Sequence, residues 1–537
     1  MDCIFYNGNF LTMDKALPRA QAVAVQDGRF AMVGSNAEVL ALQTPGTRLV
    51  DLQGQTAVPG FNESHIHLLN YAYSLSKVDA GGCGSIEEMI TLSRAFLQRQ
   101  GGEGWLLGRG WNDVMFNEGR EPTAADLDRI STEVPICFTR ICEHICVANS
   151  KAMELAGVKN GTADPAGGHY DRDESGNPTG IFRENARYMI YDIIPDVTVD
   201  DIKRMLLQAA AVAASYGITS VQSEDFEALP SKDYDRVIKA YTELAAQRQL
   251  PVRVYQQCLL PEPARLEAFL QKYTPGAGDA YYRIGPLKLL TDGSLGARTA
   301  FLNEPYSDAP ATRGISVFSQ KELNGLVCTA HKAGMQIVLH AIGDAAMEMC
   351  LESFRQALDA HPASDPRFGI IHLQITTPDI IRQFKELNVI AYEEPISLNN
   401  DIHMVESRVG ARAQTAYNYR DFFENDIPVA ISSDCPVDSL NPMKNIYVAV
   451  NRMDYNGYPA GGWRAEQSLS VEQSLYAFTM GSAYASFEEG EKGSITQGKL
   501  ADFAVLSDDI CAIEKEKIQD IEICLTVMDG NITYQRP

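Results

Sequence analysis

Two histidines one residue apart, His65 and His67, close the run TAVPGFNESHIH at residues 56–67. In an extended chain residues i and i+2 share a face, so both imidazoles project together while Ile66 packs on the other side. Two imidazoles at that spacing can hold one divalent metal if further ligands arrive from elsewhere. Alone, the pair reads as readily as two loop histidines. Candidates for the other ligands exist: Lys288 lies within PLKLLTDG, His340 ends IVLHAIGD, His372 ends IIHLQ and Asp434 ends AISSDCP. Each also has a structural reading, since His340 or His372 can be a core histidine bonded to backbone, and Asp434 can cap a helix. Together they offer nitrogen and carboxylate donors from several strand ends, which is the donor set of a hydrolytic metal centre.

Such side chains converge only if the elements bearing them form one scaffold. The middle of the chain alternates apolar runs with amphipathic stretches. VPICFTRI, GITSVQS, YRIGPLKLLTDG, MQIVLHAIGD, FGIIHLQI, NVIAYEEP and PVAISSDCP read as strands. DIKRMLLQAAAVAASYG and QKELNGLVCTAHKAG read as helices, with Gly217 and Gly334 placed for left-handed C-caps. With the strand ending at His67, about eight β-α units fit. The fold class expected is therefore α/β, a (β/α)8 TIM-type barrel with its chemistry at the carboxyl ends of the strands. Residues 1–55 and 488–537 read as short strands bounded by Gly, Asn or Asp, predicting a small β-sandwich built from both termini around a barrel over 56–487. Residues from about 75 to 190 are too long for one connection and are expected to form an insertion covering the barrel mouth.

Bulk properties narrow the partners. At 537 residues and 45% hydrophobic content, the chain suits a large catalytic domain with a smaller companion. A net charge of −24 argues against nucleic acid and anionic membrane, leaving a small-molecule substrate. No basic, apolar leader opens the sequence and no apolar run reaches membrane-spanning length, so the expected location is the cytoplasm. Eleven cysteines without paired spacing predict reduced thiols, and Cys137, Cys142 and Cys146 read as packing, not a zinc knuckle. GSITQGK at 493–499 lacks the Ser/Thr of a phosphate loop, because Leu500 stands there. Asp292 occupies the first glycine position of a nucleophile elbow around Ser294.

Longer motifs run through nearly the whole chain: VPGFNESHIHL at 58–68, HICVANSKAMELAG at 144–157, GNPTGIFRE at 176–184, LKLLTDGSLGARTA at 287–300, HAIGDAAM at 340–347, SSDCPV at 432–437 and GSITQGKLADFAVL at 493–506. In that order they resemble the amidohydrolase superfamily, in the amidohydrolase 3 branch that includes N-substituted formamide deformylases. The resemblance implies a metal-bearing barrel with a β-sandwich. It implies His65 and His67 on the first strand, Lys288 on the fourth, His340 on the fifth, His372 on the sixth and Asp434 on the eighth. It also implies that Lys288 is carboxylated and bridges two metals, the alternative being a lysine paired with Asp292 or another acid. Three positions depart from the family pattern: Glu63 replaces the usual Asp, Ile371 replaces a Glu before His372, and Cys435 follows Asp434. The Ile371 departure removes an acceptor that would orient His372.

The function expected is hydrolysis of a C–N bond in an amide or N-substituted formamide through a metal-activated water. His65, His67, Lys288, His340, His372 and Asp434 form the expected metal set. Asp434 is the expected general acid/base, with His340 or His372 donating to the substrate oxygen if only one metal is present. The cofactor expected is a divalent metal, zinc first, as one or two ions. His144 is a substrate-contact candidate by resemblance and otherwise a loop histidine. Arg298 suits an anionic substrate group or nearby acids, and Trp111 suits a pocket wall or the core. His331, His361 and His403 read as structural or solvated. Two alternatives stand: a mononuclear heterocycle deaminase, against which Lys288 counts, and a non-catalytic regulator, against which the full ligand set counts. A homodimer is the default assembly.

Overall fold

Eight parallel strands form the centre of the larger of two units in the computed structural model, which describes residues 1–102 and 104–537. They are β1 (Phe61–Ile66), β2 (Ile218–Glu224), β3 (Arg253–Leu259), β4 (Tyr282–Leu290), β5 (Ile337–Ala341), β6 (Gly369–His372), β7 (Ile390–Glu393) and β8 (Val429–Ile431). Each pairs in parallel with the next in sequence, the topology of a TIM-type barrel. Between β8 and β1 the ring is joined just past the strand ends. The Asp434 N–H donates to the His65 carbonyl at 3.1 Å and the His67 N–H to the Cys435 carbonyl at 2.8 Å. The Ser433 N–H donates to Glu63 Oε2 at 2.8 Å, so the longer carboxylate at position 63 ties the last strand to the first.

One strand differs from the sequence reading. VPICFTRI does not enter the barrel; Ile136–Arg140 belongs to the sheet of the other unit, and β3 takes the remaining place. All seven residues of β3 are buried, yet it reads Arg-Val-Tyr-Gln-Gln-Cys-Leu, with three polar side chains that hide it from a hydrophobicity scan. Their partners explain the burial. Arg253 Nε and Nη2 donate to the two carboxylate oxygens of Asp502 at 2.7 and 2.9 Å, and Nη1 donates to the Ala280 carbonyl at 3.0 Å. Arg253→Ala would strand the buried Asp502 carboxylate, and the expected loss is ~3 kcal/mol of unfolding free energy, read from urea denaturation.

Both ends of the chain supply the rest of this unit. One four-stranded sheet runs Arg29–Gly34, Ala22–Gln26, Cys3–Tyr6, Arg48–Asp51. A six-stranded sheet runs Asn531–Gln535, Ile523–Met528, Phe503–Leu506, Thr56–Pro59, Asn9–Leu11, Arg19–Ala20, interleaving the two termini. Their alternating apolar faces share one core, where Phe503 meets Phe5 edge-on at 4.9 Å and packs with Phe10 and Phe30. The chain passes from this sheet into β1 at Gly60, where a Cβ would stand 2.1 Å from Thr219 Oγ1 on β2, so only glycine fits. Gly217 and Gly334 adopt φ +77° just past their helices, Val199–Ser215 and Gln320–Lys332, as the sequence predicts.

The second unit comprises residues 71–201 and 229–231. Its six-stranded sheet runs Gly168–Arg172, Pro178–Glu184, Ile145–Ala148, Ile136–Arg140, Leu106–Trp111, Val78–Asp79. The helix Ile86–Gln100, capped by Ser85, packs its apolar side against Trp111, Ile136 and Phe138. All eleven cysteines are free thiols, as expected; Cys137 and Cys146 are buried on neighbouring strands, whereas Cys142, read as packing, is exposed. No helix among the described residues is long and apolar enough to cross a membrane.

Candidate metal centre

The carboxyl ends of β1, β4, β5 and β6, with the segment just beyond β8, bring four of the six expected ligand residues into one network of short contacts; the other two, His372 and His340, join through their rings. His65 Nε2 lies 3.0 Å from Lys288 Nζ and 3.4 Å from Asp434 Oδ1. His67 Nε2 lies 3.2 Å from the same Asp434 oxygen. The His372 ring sits 6.0 Å from that of His65 and 4.3 Å from that of His340.

Each imidazole is held from behind. Gln257 Oε1 is 2.6 Å from His65 Nδ1, Glu224 Oε2 is 3.2 Å from His67 Nδ1, and Glu394 Oε2 is 2.5 Å from His372 Nδ1. These holders bind Nδ1 and leave Nε2 for the centre. His340 is turned the other way, with Nε2 at 3.1 Å from the Gly293 carbonyl and 3.2 Å from Asp292 Oδ1. Gln257, Glu224 and Glu394 escaped the sequence reading. Their signal was a polar residue at the end of a buried strand, at β3, β2 and just beyond β7. Glu394 also answers the Ile371 departure, because it supplies the acceptor for His372 from the neighbouring strand end.

Asp292 does not pair with Lys288. Its oxygens accept the N–H groups of Ile342, Gly343 and Phe301 at 3.0, 2.8 and 2.9 Å, locking the loop after β4 to that after β5. Arg298 donates Nε and Nη2 to the Asp308 carboxylate at 3.0 and 2.9 Å, which is the acid-pairing reading. Trp111 is a core residue rather than a pocket wall: it is fully buried, with its indole N–H on the Phe138 carbonyl at 3.1 Å. His144 is exposed on the second unit, with Nδ1 2.9 Å from Glu184 Oε2. His331 Nε2 contacts the His361 carbonyl at 2.7 Å, and His403 Nε2 contacts Asp454 Oδ2 at 3.0 Å, both structural pairings.

The donor chemistry fits a divalent cation. Donor atoms of His65, His67 and Asp434 lie within 4.8 Å of one another, and so do those of His65, His372 and Glu394. Asp434 Oδ1 is buried between the His65 and His67 Nε2 atoms and takes no hydrogen bond from any other group among the described residues. Burial alone would hold His67 down, but the Asp434 and Glu224 carboxylates outweigh it and push it up to about 10. The cluster therefore draws positive charge between His67 and Asp434, the charge a divalent ion carries. Burial holds His65 and His372 well below the ordinary imidazole range, so both are neutral and able to ligate. Burial also brings Lys288 down to about 8, against the pull of the Asp434 and Glu394 carboxylates.

Asp225, beside Glu224, carries a separate pH signature. It accepts from the Leu69 N–H at 2.8 Å, Ser223 Oγ at 2.9 Å and Tyr241 Oη at 2.6 Å, yet burial still pushes its carboxyl up to about 6. The folded value lies above the unfolded one, so this group's stabilisation is complete below about pH 4 and is lost as pH rises through about 6. Asp225→Asn is expected to flatten the stability difference between pH 5 and pH 8 by about 1 kcal/mol, compared in urea melts at the two pH values.

Known proteins are similar to this chain along nearly its whole length. YtcJ of Bacillus subtilis is 30% identical over 100% of both chains. The N-substituted formamide deformylase of Arthrobacter pascens is 24% identical, covering 100% of this chain and 98% of its own. The crystal structure of an uncharacterized metal-dependent hydrolase from Pyrococcus furiosus superposes with a TM-score of 0.75 at 29% identity, covering 95% of this chain and 99% of that one. A family model matches residues 48–534, and the chain belongs to the Amidohydrolase family.

Proposed function

We propose that this protein is a metal-dependent hydrolase that cleaves the C–N bond of an amide or N-substituted formamide. The observation that carries the reading is the meeting of His65, His67, His372, Lys288 and Asp434 at the strand ends of one parallel barrel. The full-length likeness to a formamide deformylase supports the substrate class. In this reading His65, His67, Asp434, His340, His372 and Lys288 hold the ion or ions. A divalent ion, zinc first, supplies Lewis acidity there, lowering the pKa of water and polarising a carbonyl.

The chain's own groups do the proton work. Burial tends to raise the Asp434 carboxyl, but His67 and His65 hold it well below the usual carboxylate range, so it is ionised at neutral pH. It takes a proton from the attacking water as the hydroxyl oxygen bonds to the carbonyl carbon. It returns that proton to nitrogen as the C–N bond breaks, releasing a carboxylic acid and an amine. With a single ion bound, whichever of His340 and His372 is not ligating would donate a hydrogen bond to the oxygen on which negative charge develops. Lys288, partly neutral near pH 8, has a free amine to add to CO2 as a carbamate with loss of a proton, replacing a positive charge beside His65 by a negative one.

The test is metal content per chain after purification without chelator, with amine release assayed from N-substituted formamides. Bound metal and release of the substituted amine are expected. Ammonia release from a ring amine would favour the deaminase alternative. A folded chain that takes up no metal from zinc or manganese with bicarbonate would overturn the catalytic reading.

A further inference from the structure

Around the centre the strand ends carry apolar side chains that the fold leaves uncovered. Leu290 ends β4 two residues beyond Lys288, so strand alternation turns both to the same face. It is 40% exposed, whereas the residues just before it are buried. The Val317 N–H donates to the Thr291 carbonyl at 2.9 Å, laying segment 315–317 beside the end of β4. There Ile315 and Val317 are 58% and 52% exposed. Past β8, the Val437 N–H donates to the Asp434 carbonyl at 2.8 Å, and its side chain is 72% exposed. Water-facing valine, isoleucine and leucine do nothing for folding. Set at the strand ends that carry a polar centre, they are the lining expected of a site that receives hydrocarbon. Charge points the same way. The Arg298 guanidinium is bonded to Asp308, which Arg408 also holds, so this rim offers neither of those cations to an anionic substituent.

We infer that Leu290, Ile315, Val317 and Val437 form the specificity surface for the substrate's hydrocarbon part, so that the substrate is an amide or formamide bearing a bulky, uncharged apolar group. The inference rests on the hydrolase reading for the reacting bond, and on the exposed side chains for the substituent.

The test uses the full-length, metal-loaded chain in two series. In the first, kcat/KM is measured for N-alkylformamides from methyl to hexyl. In the second, calorimetry follows the binding of 1-alkanols from butanol to octanol, which contain no bond to hydrolyse. Both are expected to strengthen roughly fourfold per added methylene, and that dependence is expected to weaken in Leu290→Ser and Val437→Ser. Alkanol affinity independent of chain length in the wild type would overturn the inference. So would serine variants that leave the length dependence untouched but shift the sedimentation of the chain, which would make the patch an interface between copies. Length-dependent alkanol binding without turnover of any formamide would keep the apolar surface and reject the hydrolase reading.

Discussion

Asp434→Asn is expected to lower turnover by about 10³-fold while the chain stays folded. The substitution keeps the shape of the side chain and the backbone bond from the Asp434 N–H to the His65 carbonyl that joins the barrel ends. It removes the oxygen charge that sits 3.4 Å from His65 Nε2 and 3.2 Å from His67 Nε2. Two consequences separate. Loss of the base should appear in kcat, and the loss of a charged donor should appear as weaker metal retention during dialysis. His67, no longer facing the Asp434 carboxylate, should also titrate lower in the metal-free protein, which NMR of its ring protons would follow. Wild-type kcat in a metal-replete asparagine variant would remove Asp434 from the proton path.

The second large effect concerns Lys288. An ammonium 3.0 Å from the His65 ligand nitrogen repels a divalent ion, whereas a carbamate in the same place attracts one. The carbamate reading therefore predicts two metals per wild-type chain, falling to one or none in Lys288→Ala, with turnover reduced at least 100-fold, on the order of a lost metal or general catalyst. Metal uptake by the wild type should rise with added bicarbonate, and uptake by the variant should not. A single ion, unchanged by the substitution and by bicarbonate, would leave Lys288 an ordinary cation in the barrel.

The residues that meet the centre were readable because chemistry forces rare side chains into otherwise apolar strands. His65, His67, Lys288, His340 and His372 stand out against the runs that carry them, and the barrel class followed from the alternation of those runs with helices. The strand count came out right with one member misassigned. β3 is polar in sequence because Arg253 and Gln257 bond outward to Asp502 and inward to His65, partners more than 190 residues away in the chain. The holders Glu224 and Glu394 had only their place at the ends of buried strands to mark them, for a related reason. Nothing local distinguishes a carboxylate behind an imidazole from one in water, since that difference is made by the neighbouring strand. Trp111 shows the opposite error, in which a large aromatic invites a functional reading although its ring and N–H are satisfied within a core.

The bonds between the ends of β1 and β8 place the centre where the ring closes, and Ser433 reaches Glu63 across 370 residues of chain. During synthesis the first histidines leave the ribosome long before Asp434 exists. A nascent chain that ends before Asp434 thus bears His65 and His67 without the carboxylate that both face, and the cluster is complete only when the last barrel strand docks. Such a late, long-range closure is slow by nature, and it ties assembly of the histidine–carboxylate cluster to completion of the fold.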